Sequence, residues 1–360
     1  MIPAPMRRAA LVLAVAATAL LTFAAPASAH GADAPDGTDY RSTITAVSAP
    51  DLGARMVEAG ARLELTNRTG ADVTVLGYSG EPYLRIGPGG VYENRRSPAT
   101  YLNRTLAGET RLPAEADPAA APHWRRITDG PTARWHDQRT LWREPDPPAA
   151  AAADPGREHR VRDWVVPLRV GDDTGEVRGT LDWVPPPDPY PWWVAATLGF
   201  LVIGAAGLAP AGTAAGVRAL RAAGALLALG GVAAVALTVA RAVDTGGPGT
   251  AGLLAELATG QVWTLLTGLG AVAAGGYALA RRPAADFALA LAGACLALFA
   301  GVSNLAALSR SVPPAAGPPE LVRLLVVVGL ATGAGAVAAG LLRLRTAARA
   351  ARHPHPTPAR

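Results

Sequence analysis

Leu181-Asp182-Trp183-Val184-Pro185-Pro186-Pro187-Asp188-Pro189-Tyr190-Pro191-Trp192-Trp193 is where the chain changes solvent. Before it the sequence is rich in charge, proline and turn residues. After it come blocks of Ala, Leu, Val and Gly about 20 residues long, the length that crosses a bilayer as a helix. The prolines favour an extended, unpaired backbone and so make a stiff joint. Trp192 and Trp193 are the residue type favoured at the boundary between water and hydrocarbon. The stretch therefore predicts an exported domain leading into a membrane bundle, with a Pro-rich linker over 185–191.

Composition agrees. Half of the chain is hydrophobic but only 5% is aromatic, a mixture suited to closely packed membrane helices. The net charge of +5 is modest and its arginines form no soluble patch interleaved with aromatics, so nucleic acid is not an expected partner. The single cysteine, Cys295, excludes an internal disulfide and any Cys-based zinc site; within an apolar block it reads as a small buried hydrophobe.

Residues 1–29 have the three parts of a secretory signal: Arg7 and Arg8, an apolar run to about Ala25, and Ala27-Ser28-Ala29 as an A-x-A cleavage site. Cleavage there would leave His30 first. Residues 30–184 read as an extracytoplasmic β-sandwich-like domain. Arg41–Val47 alternates; Arg62–Thr66 alternates and is followed by the turn Asn67-Arg68-Thr69-Gly70, with Asp72–Tyr78 as its expected partner strand. Tyr83–Ile86 and Val91-Tyr92 flank Gly87-Pro88-Gly89-Gly90. Asp163–Val170 and Glu176–Trp183 form an expected terminal hairpin, and 145–156 an exposed loop.

Beyond the linker, residues 192–342 contain five expected spans, at about 192–212, 220–240, 259–280, 284–306 and 320–342. Arg218 and Arg221, then Arg281 and Arg282, then Arg343, Arg345, Arg349 and Arg352 fall at alternate connections and in the basic tail, 343–360. The positive-inside rule puts these ends and the C-terminus in the cytoplasm and the β-domain outside. Gly329 and Gly333 make a G-x-x-x-G pair, here read as packing within the bundle.

The phrases Arg62–Gly70, Gly80–Arg85, Tyr92–Asn103, Trp135-His136-Asp137 and Gly179–Pro185 resemble a family of actinobacterial membrane proteins of uncharacterised function. The resemblance covers most of the chain and implies an exported β-domain followed by several membrane helices, with no activity attached. Members tend to carry more histidines after the Trp-His-Asp stretch; here only His136 stands there. A weaker, architectural likeness is to copper-resistance proteins that join an exported β-sandwich to membrane helices.

Three functional readings follow. The favoured one is a binding or interaction module at the cell envelope, with the lipid bilayer and a membrane or envelope protein as partners. The second is copper: an N-terminal His30 offers an amine and an imidazole to Cu(II), with His123, His136 or His159 as further ligands, His136 first among them. His353 and His355 in the tail read as solvated. The third is transport of a small solute or ion, for which the span-end polar groups Arg241, Glu256, Gln261, Ser303, Asn304 and Arg323 would matter. Arg241, Glu256 and Arg323 are expected at one membrane face as a charge cluster. Without G-x-S-x-G, H-E-x-x-H or a phosphate loop, no enzyme is expected and no cofactor beyond copper. Reporter fusions after Arg282 and after Arg345 should read cytoplasmic and one near Gly247 external; an external tail would overturn the orientation.

Overall fold

A computed structural model of the chain describes residues 36–247 and 249–352. The signal-peptide reading, His30, His353 and His355 lie outside the described residues. Within them an antiparallel β-domain of two sheets is followed by a helical region with five helices long and apolar enough to cross a membrane.

The larger sheet has the strand order β1-β10-β9-β4-β5-β6-β7, and the smaller β2-β3-β8. Its members are β1 (Tyr40–Val47), β2 (Leu52–Val57), β3 (Arg62–Asn67), β4 (Val73–Leu76), β5 (Pro82–Gly87), β6 (Gly90–Asn94), β7 (Trp124–Thr128), β8 (Thr132–Trp135), β9 (His159–Val170) and β10 (Asp173–Trp183). Alternate residues of both sheets meet in one core: Leu63, Leu65 and Trp135 from the smaller face Val75, Ile86, Trp164, Val166 and Val177 from the larger. The expected terminal hairpin is β9–β10, in register from Asp173↔Val170 to Trp183↔His159 with one irregularity.

One pairing differs from the sequence reading. β4 is not the partner of β3; it pairs with β5 and β9 in the other sheet. Asn67 explains the crossing. Its Nδ2 donates to Ala71 O and Ile86 O at 2.7 Å each, and its Oδ1 accepts from Thr69 N at 2.9 Å. An asparagine side chain that ties its own turn and reaches into the opposite sheet redirects the chain. A similar switch separates β7 from β8. The expected loop at 145–156 contains a helical turn, Ala149–Ala153, that buries Ala151.

The helices are α1 (Tyr190–Ala205), α2 (Ala214–Thr245), α3 (Gly249–Thr259), α4 (Val262–Leu279), α5 (Ala285–Leu296) and α6 (Pro319–Arg352). The first span continues to Leu208. The fourth runs on from α5 through a π-helical turn, Ala297–Gly301, and tight 3-10 turns, Val302–Leu308; α3 is a short helix between the second and third spans. Two spans outrun their apolar stretches: α2 takes in Arg218 and Arg221, and α6 runs to Arg352, into the first part of the segment read as a tail. Arg343 is buried there, its Nε 2.6 Å from Asp286 Oδ1 and its Nη1 3.2 Å from Gly216 O, which ties three spans together at the end away from the β-domain.

In lipid the apolar effect does not drive helices together; close backbone approach does. A Cβ on Gly333 would lie 2.6 Å from Ala297 N and 2.8 Å from Gly293 O. The G-x-x-x-G pair thus packs α6 against the fourth span. Gly231 and Gly268 do the same for α2 and α4, each meeting the other's carbonyl oxygen. Gly333→Val should separate the two spans and lower stability in detergent by about 1–3 kcal/mol, whereas Gly276→Val, at an open position, should leave the melting temperature nearly unchanged. Equal effects would refute this account of the packing.

Candidate functional site

The β-domain is fastened to the bundle at two places. The first lies beside the Pro-rich seam. Thr38 and Val312 exchange backbone hydrogen bonds of 3.0 and 2.8 Å. Asp39, buried, accepts from Arg310 Nη1 at 2.5 Å and from Ser311 N at 3.0 Å. Arg323, also buried, then donates to Ala307 O at 3.0 Å and Arg310 O at 2.9 Å. An arginine laid over the last carbonyls of a helix satisfies groups that have no partner within the helix.

The second fastening is the smaller sheet. Arg55 and Arg134 are the cross-strand neighbours of Glu64 on its two sides, on the face opposite the core residues Leu63 and Leu65. Arg55 holds Glu64 with Nε at 2.6 Å and Nη2 at 3.2 Å, and Arg134 Nε reaches the same carboxylate. Burial pushes the Glu64 carboxyl upward, but the hydrogen bonds from the two guanidiniums outweigh it and the net direction is down. Arg55 also donates to Asp244 O at 3.1 Å and to Gly246 O, so it caps the C-terminal end of α2. The β2–β3 turn completes the joint. Glu58 and Ala59 are left-handed, with φ of 56° and 58°, a conformation unfavourable for residues with side chains. It is held by Glu58 N donating to Asp244 Oδ2 at 2.7 Å.

Between these parts lies a cleft of about 590 Å³. Gly53, Ala54, Thr66 and Arg68 line it from the sheet; Val243, Gly246, Gly247, Thr250 and Leu253 line it from the bundle. Arg68 lies over Gly53, where a Cβ would come within 3.3 Å of its Nη1. Its guanidinium makes no hydrogen bond or ion pair among the described residues. The depth of the cleft follows from the helices. Gly268 packs between Gly231 and Val235, so Trp263 is level with the turn around Thr238. Trp263, Trp193 and Tyr190 are exposed at the β-domain ends of their spans, as an aromatic belt requires. The α2 wall, Ala242–Gly247, is about one turn beyond that level toward the β-domain.

The expected charge cluster is not brought together among the described residues. Arg323 pairs with Glu320 at 3.1 Å and caps the fourth span. Arg241 turns into the bundle beside Thr238, Thr264 and Asn304, where its Nε makes no hydrogen bond. Glu256 lies on α3 and no ion pair joins it to either arginine. His136 is buried with Nδ1 2.9 Å from Ala61 O and Nε2 accepting from Arg62 Nε at 3.2 Å. His159 Nε2 lies 2.7 Å from Asp154 O, and His123 is exposed. Among the described residues no group of three or more His, Cys, Asp or Glu side chains is placed to hold a metal ion. Ser97, Tyr101 and Asn103 serve the local turn: Ser97 Oγ meets Glu81 Oε1 at 2.5 Å, Tyr101 OH donates to Arg95 O at 2.9 Å, and Asn103 accepts from Tyr78 OH.

Nothing in the sequence singles out Arg55, Glu64 and Arg68 or joins them to Asp244. The alternation of Arg62-Leu63-Glu64-Leu65-Thr66 places Glu64 off the core; it does not say which strands flank it. No family model, curated protein or solved structure matches the chain.

Glu64 supplies a pH test. Its folded-state pKa is lowered, so its contribution is present above the unfolded value of about 4.3 and is lost as pH falls through the folded value. Thermal melting of the full chain in detergent should drop more steeply below about pH 4 for the wild type than for Glu64→Gln, and at pH 7 the variant should melt lower. Parallel pH profiles would contradict the role given to this carboxylate.

Proposed function

We propose that this multi-pass membrane protein is a binding module of the cell envelope, with the β-domain outside and the five spans as its seat. The cleft carries the proposal, because one wall is sheet and the other is bundle. A ligand held there contacts both and strengthens their junction by mass action. An anchor alone would need a single span. Five spans fix the end of α2 rigidly enough to form half of a binding site, as sites built on regular elements require. The arginine-rich span ends at the far face support the orientation through the positive-inside rule.

The test uses a Cys295→Ser background with a single cysteine placed at Thr66, in the cleft, or at Thr174, exposed on β10 next to the β9–β10 turn. A membrane-impermeant maleimide should label Thr174→Cys on intact cells. Thr66→Cys should react several-fold more slowly in native membranes than after purification and removal of bound material, and Thr174→Cys equally in both. No difference at Thr66 would refute an occupied cleft, and no labelling at Thr174 would refute the orientation.

A further inference from the structure

Building on that reading of the cleft, we infer that its ligand is an anionic phospholipid of the β-domain-side leaflet, with its phosphate on Arg68 and its acyl chains along Val243 and Leu253. Three observations meet here. The first is charge. Among the described residues Glu64 is the only carboxylate lining the cleft, and it is shared by Arg55 and Arg134. The nearby Asp244 carboxylate is turned to Glu58 N. Arg55 has most of its donors committed to Glu64 and the end of α2. Arg68 has none committed among the described residues. A guanidinium with its whole fork free, over a glycine that gives it room, suits a phosphate, which it can meet with two parallel hydrogen bonds.

The second observation is the shape of the apolar lining. Besides Arg68 the lining includes the apolar residues Ala54, Val243 and Leu253. Val243 is 50% exposed and Leu254, next along α3, is 65% exposed. These side chains carry the apolar wall out of the cleft toward the hydrocarbon. A free anion would leave that wall in water; a lipid covers it. The Gly246 and Gly247 backbone, without side chains, opens the space between the two halves. The volume of about 590 Å³ falls within the range of small-molecule sites.

The third is depth. The cleft lies about one helical turn outside the level of Trp263, where phosphates sit and acyl chains begin.

The experiment uses the full chain in mild detergent and in phosphatidylcholine nanodiscs with or without phosphatidylglycerol, read by native mass spectrometry. Wild-type protein should retain phosphatidylglycerol through washing that removes phosphatidylcholine. Arg68→Gln should weaken that retention about five- to tenfold, Arg68→Lys should weaken it less, and neither should change the melting temperature of the delipidated protein. Val243→Asp, which places a carboxylate where the acyl chain would lie, should also abolish retention. The inference is overturned if Arg68→Gln holds phosphatidylglycerol as the wild type does, if phosphatidylcholine is retained equally, or if inorganic phosphate displaces the lipid. Should Thr66→Cys be protected in native membranes while phosphatidylglycerol is not retained, the cleft has another ligand and only this inference falls. If neither holds, the binding-module reading falls with it.

Discussion

The buried carboxylate of Asp39 is the constraint on which the junction of the two halves depends. A buried charge without partners is strongly destabilising, and among the described residues the hydrogen-bond partners of the Asp39 carboxylate come from the connection between the last two spans. The β-domain therefore cannot lift from the bundle without stranding an ion. Arg310 and Ser311 are held in turn by Arg323 through the carbonyls around them, so the end of the fourth span, the start of the fifth and the first strand of the β-domain share one polar network. The chain leaving β10 joins it where Val184 N donates to Asp39 O at 2.8 Å, just before the prolines.

Within the membrane the same economy of polar groups applies. Arg323 at one end of α6 and Arg343 at the other are both buried, and both bond to carbonyls at the ends of neighbouring helices. Between them Gly333 and Gly340 come close to backbone of the fourth span, beside side-chain packing by Val326 and Val327. α6 thus fixes the fourth span by small residues along its length and by a guanidinium at each end. The smaller sheet repeats the device outside the hydrocarbon, where Arg55 covers the last carbonyls of α2.

How much of this was legible depended on whether the information was local. The five spans, the seam and most strands followed from hydropathy, prolines and alternation, because these reflect solvent and periodicity. Partnership between distant segments was another matter. The pairing of β4 with β9 rests on Asn67 reaching Ile86, nineteen positions away, and nothing in the 67–70 turn announces it. Arg241, Glu256 and Arg323 stand at the same kind of span end, yet the rotation of each helix decides where each side chain goes, and Arg323 found Glu320 three positions earlier in its own turn. The cleft was illegible for the same reason: Arg68 reads as a turn residue until the sheet places it opposite α2.

The π-helical turn at Ala297–Gly301 sets the angular phase of everything that follows it in the fourth span. A wide turn accommodates an additional residue in a helix otherwise continuous with its neighbours. Here it stands ahead of the tight turns that bring Asn304 inward and deliver Arg310 and Ser311 to Asp39. Each residue advances an α-helix by about 100°, so removing one position from 297–301 would turn the segment beyond it away from the β-domain even if the span stayed fully apolar. The length of this segment is thus under a constraint separate from its hydrophobicity. Substitution of one apolar residue for another is compatible with that constraint in a way that deletion is not, and the membrane span acts as a gauge block for a contact made in water.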